Sequence, residues 1–165
     1  MKDNYIRQAS EVKGNTTAFT EIIINTTPEV VRATFLDFKK WEKWNTIFPK
    51  IEVKKGDLNN LETKPTLSLM LDFGRKNDPA PAPTNPRVYE NSPEVFNWGF
   101  KWGILTAEHV HIFESIDGGK KTRFINYEKM SGLMKGVVMQ PAMRDNMVAK
   151  YNIMNAAFKK VCEAQ

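Results

Sequence analysis

The chain contains a single cysteine, Cys162, so no disulfide can form within it. It has two histidines, His109 and His111, and no cysteine pair, which excludes the zinc motifs built on paired cysteines. No apolar run approaches the roughly 18 residues that a membrane helix needs. Residues 1–16 are polar and lack the apolar core of a secretory signal. There is no glycine-rich phosphate loop and no Gly-x-Ser-x-Gly elbow; Ser131 before Gly132 lacks the strand–turn–helix context. A block of one charge is also missing. The 24 basic and 19 acidic residues are intermixed, as in "KKWEKW" and "EVKKGD", and leave a net charge of +5. A nucleic-acid surface gathers Lys and Arg on one face, which this pattern does not do. The expectation is a soluble, cytoplasmic protein with no nucleic-acid partner. The net positive charge leaves transient contact with an anionic membrane open, and the oligomeric state is unassigned.

What is present suits one domain that buries a full core. At 165 residues, 41% hydrophobic and 11% aromatic, the chain is globular in composition. Residues 1–14 read as a polar arm and 15–165 as one domain. "TAFTEIIIN" is rich in β-branched residues and predicts a strand over about 16–25. In "TTPEVVRATFLDF" the period changes. Thr27 can cap, Pro28 fits the first turn and Glu29 favours the positive helix end, which predicts a helix from 28 to about 36. Trp41 and Trp44 then share one side of a second short helix.

Strands follow over 51–57, 66–74, 87–91 and 94–103. Leu67, Leu69, Leu71 and Phe73 alternate on one face, as do Phe96, Trp98, Phe100 and Trp102. Residues 75–86 carry four prolines and predict a surface loop that cannot sit inside a sheet. Met143, Met147, Tyr151, Met154, Phe158 and Val161 form one stripe on a helix from about 141 to 163, with Pro141 in its first turn. Strand, two short helices, six strands and a long helix define an α+β fold with an antiparallel sheet.

Both histidines lie in "AEHVHIFESIDGGKKTRFINYEKMSG", residues 107–132. Gly118 and Gly119 supply a two-residue turn, because glycine adopts positive φ without cost. Pairing Asp117 with Lys120 sets Phe113 opposite Phe124, His111 opposite Asn126 and His109 opposite Glu128, all on one face. Val110, Ile112, Arg123, Ile125 and Tyr127 occupy the other. A slip of one residue would put Arg123 and Tyr127 beside the histidines. The unslipped register groups Phe with Phe and His with Glu. Two histidines about 7 Å apart along a strand converge poorly on one ion, so no metal and no cofactor is expected. Cys162 reads as a small buried hydrophobe.

Three stretches resemble the SRPBCC superfamily, which includes START domains, plant pathogenesis-related allergens and polyketide cyclase-like proteins. They are "NTTPEVVRATFLDFKKWEKWN", "PRVYENSPEVFNWGFKWG" and "EHVHIFESIDGGKKTRFINYEKMSG". The likeness spans about residues 17–163. Met130 stands where the terminal Glu-x-aromatic-x-Gly pattern has its aromatic residue, and the Pro-rich insert 75–86 departs from the compact pattern. The resemblance implies a helix-grip fold, with a curved antiparallel sheet of about seven strands wrapped around the C-terminal helix. It also implies a cavity between them for a hydrophobic or amphipathic small molecule.

The expected ligand-binding wall is Leu69, Leu71, Phe73, Tyr89, Phe96, Trp98, Phe100, Phe113 and Phe124. His109, His111, Asn126 and Glu128 add polar contacts, and Met143, Met147, Tyr151 and Met154 close it from the helix. Three readings follow: a carrier or sensor of a lipid, sterol-like or polyketide-like compound; a cyclase, dehydratase or isomerase with His109 and Glu128 as acid–base pair; or an interaction module whose interior is filled by side chains.

Overall fold

In a computed structural model, residues 18–70, 83–133 and 140–165 are described. Eight antiparallel strands form one sheet: β1 Phe19–Ile24, β2 Lys50–Lys55, β3 Thr66–Met70, β4 Pro83–Thr84, β5 Arg87–Asn91, β6 Val95–Trp102, β7 Leu105–Ile116 and β8 Lys121–Ser131. The order is β1-β8-β7-β6-β5-β3-β2, with β4 paired to β3. Helix α1 (Pro28–Leu36) and a 3₁₀ helix (Phe38–Lys43) follow β1, and α2 (Pro141–Glu163) ends the chain. Among the described residues no helix is long and apolar enough to cross a membrane.

The local chemistry explains the boundaries. Thr27 is extended and Pro28 opens α1. The Thr27 side chain does not cap the helix backbone. A backbone hydrogen bond, and then the Thr27 hydroxyl, hold the Glu29 carboxyl below the usual carboxylate range. Val31, Thr34 and Phe35 are the buried side of α1. At its C-terminal end, where helix carbonyls lack partners, the Trp41 indole N–H donates to the Phe35 carbonyl. Asn45 Oδ1 then accepts from the backbone N–H of Ile47 at 3.1 Å and Phe48 at 2.7 Å. This side-chain turn aims the Phe48 ring into the core.

The long hairpin has the expected register. Phe113 pairs with Phe124, His111 with Asn126 and His109 with Glu128. At the turn Gly118 and Gly119 have φ of 62° and 88°, but Asp117 and Lys120 are not paired in the ladder, so the loop has four residues, 117–120, instead of the expected two. Asp117 also has φ of 53°, so the strands end at Ile116 and Lys121.

Two expectations need correction. The Pro-rich stretch is not wholly outside the sheet: Pro83 and Thr84 pair with Met70 and Leu69. Proline is tolerated there because β4 pairs on one side only, as an edge strand does. Tyr89 does not join the inner wall. Val88 is buried opposite Trp98, so the next residue turns outward, at a bulge between Val88 and Glu90. The Tyr89 ring lies over Gly99 and is 39% exposed. Leu71 and Phe73 lie outside the described residues.

The main core fills the space between the sheet's inner face and the two helices. Phe35 is its hub, with ring centroids within about 6 Å of Trp41, Phe96, Phe113, Phe124 and Phe158. From α2 come Met147, Tyr151, Met154, Asn155, Phe158 and Cys162. Burial pushes the Cys162 thiol up to about 12, so it stays an unreactive thiol.

Candidate functional site

Strand pairing converts the inner face into a ladder of rungs that run across β1, β8, β7 and β6. The first is Ile22–Phe124–Phe113. The second is Thr20–Asn126–His111–Phe96, and the third is Ala18–Glu128–His109–Trp98. The fourth is Met130–Ala107–Phe100. The two middle rungs bring polar side chains under α2.

The third rung holds the densest chemistry. His109 Nε2 lies 2.8 Å from Glu128 Oε1, and both side chains are buried. The Tyr151 hydroxyl of α2 lies 3.4 Å from His109 Nδ1. Trp98 stacks on the imidazole at 4.1 Å with 9° between the planes, and the Phe48 ring stands edge-on at 5.6 Å. The imidazole is thus fixed on four sides. Burial, and then the Glu128 charge, push the Tyr151 phenol well above its ordinary value of 10. It remains a phenol within hydrogen-bond reach of His109 Nδ1, while Nε2–H donates to Glu128 Oε1.

His111 is a different kind of histidine. Burial, and then the neighbouring His109, hold it down at about 3, against a weaker contribution from its bond to Phe96. Neutral at Nε2, it donates from Nδ1–H to the Phe96 carbonyl at 3.3 Å. Its ring sits 4.6 Å from Phe35. Beside it the Thr20 hydroxyl donates to the Asn126 carbonyl at 3.2 Å and accepts from Asn155 Nδ2 at 2.9 Å.

Several buried polar atoms on these rungs have no hydrogen-bond partner among the described residues. They are Glu128 Oε2, Trp98 Nε1, both Asn126 amide atoms and, on α2, Asn155 Oδ1. Leaving such a group unpaired costs about 1–3 kcal/mol, more for a charged one. Natural interiors hold few of them, and their gathering on these rungs makes this the candidate site.

Most of the expected wall is brought together. Phe96, Trp98, His109, His111, Phe113, Phe124, Asn126, Glu128, Met147, Tyr151 and Met154 are all buried, and Leu69 joins the same core from β3. Phe100 and Met143 pack at its margin. Sequence reading missed Phe35, Phe48, Thr20 and Asn155. Asn155 had a signal, since it lies four residues after Tyr151 on the buried stripe. Phe48 had none, because it sits in a loop without periodicity. Among the described residues no cluster of three His, Cys, Asp or Glu side chains is arranged to hold a metal ion. A separate groove of about 360 Å³ between α1 and the β5–β6 turn includes Glu29, Arg32 and Glu94. Arg32 there is already bound to the Ser92 carbonyl and Asn91 Oδ1.

A curved antiparallel sheet closed over a long C-terminal helix, with polar rungs at the centre of its inner face, defines the helix-grip class. Solved structures share this fold. A START superfamily protein from Mycobacterium smegmatis matches with a TM-score of 0.68 at 11% identity, over 90% of this chain and 97% of that one. A Thermus thermophilus protein matches with a TM-score of 0.66 at 11% identity, over 90% and 97%. An aromatase/cyclase from a Streptomyces species matches with a TM-score of 0.60 at 11% identity, over 90% and 91%. The chain belongs to the polyketide cyclase / dehydrase and lipid transport family, whose model matches residues 16–163. No curated protein matches the sequence. Family and fold together point to hydrophobic ligand binding or polyketide cyclase-like chemistry.

Proposed function

We propose that the protein binds a hydrophobic or amphipathic small molecule between the sheet and α2, as a carrier or sensor, with its polar group at the His109–Glu128–Tyr151 end. The observation that carries this reading is the set of unpartnered atoms on the middle rungs, Glu128 Oε2, Trp98 Nε1 and the Asn126 amide. Together they offer an acceptor for a hydroxyl, a donor for a carbonyl and an amide that serves either. Binding pockets for such molecules are apolar walls with a few fixed polar groups, and the surrounding rings and methionines supply that wall. Native mass spectrometry of the protein as purified tests the reading. The expected result is an added mass of a small organic molecule, recovered by solvent extraction. A bare chain that also takes up no apolar fluorophore would overturn it.

A second reading is catalysis at the same place, by a cyclase, dehydratase or isomerase. The observation favouring it is the 2.8 Å His109–Glu128 contact with Tyr151 on the other imidazole nitrogen. A buried carboxylate that orients an imidazole is a general acid–base arrangement. Under this reading His109→Ala abolishes turnover of the extracted molecule, whereas under the carrier reading it only weakens retention.

A further inference from the structure

The polar rungs are one-sided in charge. Among the described residues that are both buried and polar, Glu128 is the one acid and none is Lys or Arg. His109 Nε2 lies on Glu128 Oε1 at 2.8 Å, while Oε2 is buried without a partner among the described residues. His111 adds no charge, because burial and then the neighbouring His109 hold it down at about 3. The described arginines sit elsewhere. Arg123 pairs with Glu21 and Glu114, Arg32 binds Ser92 and Asn91, Arg144 pairs with Asp145, and Arg87 is exposed.

The other unpartnered atoms of these rungs are neutral. Trp98 Nε1 is a donor, the Asn126 amide offers one donor group and one acceptor, and Asn155 Oδ1 is an acceptor. Tyr151 shows what a second negative charge meets at this place. Burial, and then the Glu128 charge, disfavour its phenolate. A ligand anion that reached the third rung would meet the same two penalties, with no buried Lys or Arg among the described residues to offset them.

We propose that the site selects its ligand by charge, taking an uncharged hydroxyl onto Glu128 Oε2 and rejecting a carboxylate. This selectivity rests on the binding reading above and narrows the ligand class within it. A hydroxyl donates to Oε2 and keeps lone pairs for an N–H donor such as Trp98 Nε1 or Asn126 Nδ2, so it serves unpartnered atoms of both kinds. A carboxylate only accepts, and it sets a second negative charge beside Oε2. An ammonium only donates, and it leaves the Trp98 N–H without an acceptor. Long-chain alcohols and hydroxylated ring compounds meet these demands, and free fatty acids do not.

Probes that share one apolar chain and differ in the head group test this. Decanol, decanoate, methyl decanoate and decylamine are titrated at neutral pH, where decanoate is ionised, into the isotope-labelled natural chain. Nuclear magnetic resonance reads both affinity and place, the latter from the Trp98 indole N–H signal. Decanol is expected to move that signal and to bind at least about tenfold more tightly than decanoate. Methyl decanoate is uncharged but only accepts, so it should bind at least about threefold more weakly than decanol. Glu128→Gln puts an amide N–H where Oε2 can stand, and should cut the preference for decanol over decanoate to about threefold or less. Decanoate, the ester or the amine binding as tightly as decanol to the natural chain overturns the proposal and leaves the binding reading standing. A preference unchanged in Glu128→Gln overturns it too, by assigning the effect to the general cost of burying a carboxylate. Binding of none of the probes overturns both.

Discussion

The inner face of the sheet has two regions built by the same alternation of side chains. In the Ile22–Phe124–Phe113 rung every group meets a ring or an aliphatic side chain, and Phe35 and Phe158 close over it. Two rungs away, Glu128, His109 and Trp98 present a carboxylate, an imidazole and an indole, with Oε2 and Nε1 left unpaired. The first region lowers the free energy of the fold. The second raises it, since buried polar atoms lose water without gaining partners. Under the proposed function, a bound polar group would offset that cost.

The largest effect is expected at Phe35. Phe35→Ala removes the hub of the ring cluster and should cost about 3–5 kcal/mol in urea denaturation. A loss under 1 kcal/mol would mean the ring region is not the main source of stability.

Next in size is a pH effect at the boundary between the regions. His111 sits at about 3 in the folded chain against an ordinary 6.5. The unfolded chain therefore takes up this proton first. The stability due to neutral His111 is complete above pH 6.5 and drains away as pH falls toward 3, by about 1.4 kcal/mol per unit. His111→Asn should lose less stability than the natural chain between pH 6.5 and 4.5, by roughly 2–3 kcal/mol. Parallel losses in the two chains would contradict the assignment.

Tyr151→Phe tests the long 3.4 Å contact to His109. It should cost about 1 kcal/mol or less in stability, while any ligand that relies on the orientation of His109 dissociates faster. Smallest of all is the expected effect of Glu128→Gln on the fold. It keeps a side-chain carbonyl that can accept the His109 Nε2–H bond, so stability should shift by less than about 1 kcal/mol. A large loss would make the His109–Glu128 pair a structural strut.

Much of this is legible in the sequence. The glycine pair at 118–119 sets the hairpin register, and with it the His109–Glu128 pair, because a tight turn leaves one way to align the strands. Pro28 and Pro141 mark helix starts, and the α2 stripe follows from its spacing. What was hidden depends on contacts between distant segments. The roles of Phe35 and Phe48 come from how α1 and the loop after it fold back over β6 and β7. Tyr89 turned outward because a strand alternates whatever its residue types, and a bulge sits at that point. Burial of Val110 and Ile112 on the outer face could not be read from alternation, which says which side a residue faces and not what covers that side.

Native mass spectrometry on two variants addresses the division between the regions most directly. Glu128→Gln changes the polar rung, and Phe113→Leu changes the ring rung. The natural chain and Phe113→Leu should retain a bound small molecule, while Glu128→Gln should lose it with its fold intact. Equal retention in both variants, or loss only in Phe113→Leu, would contradict it.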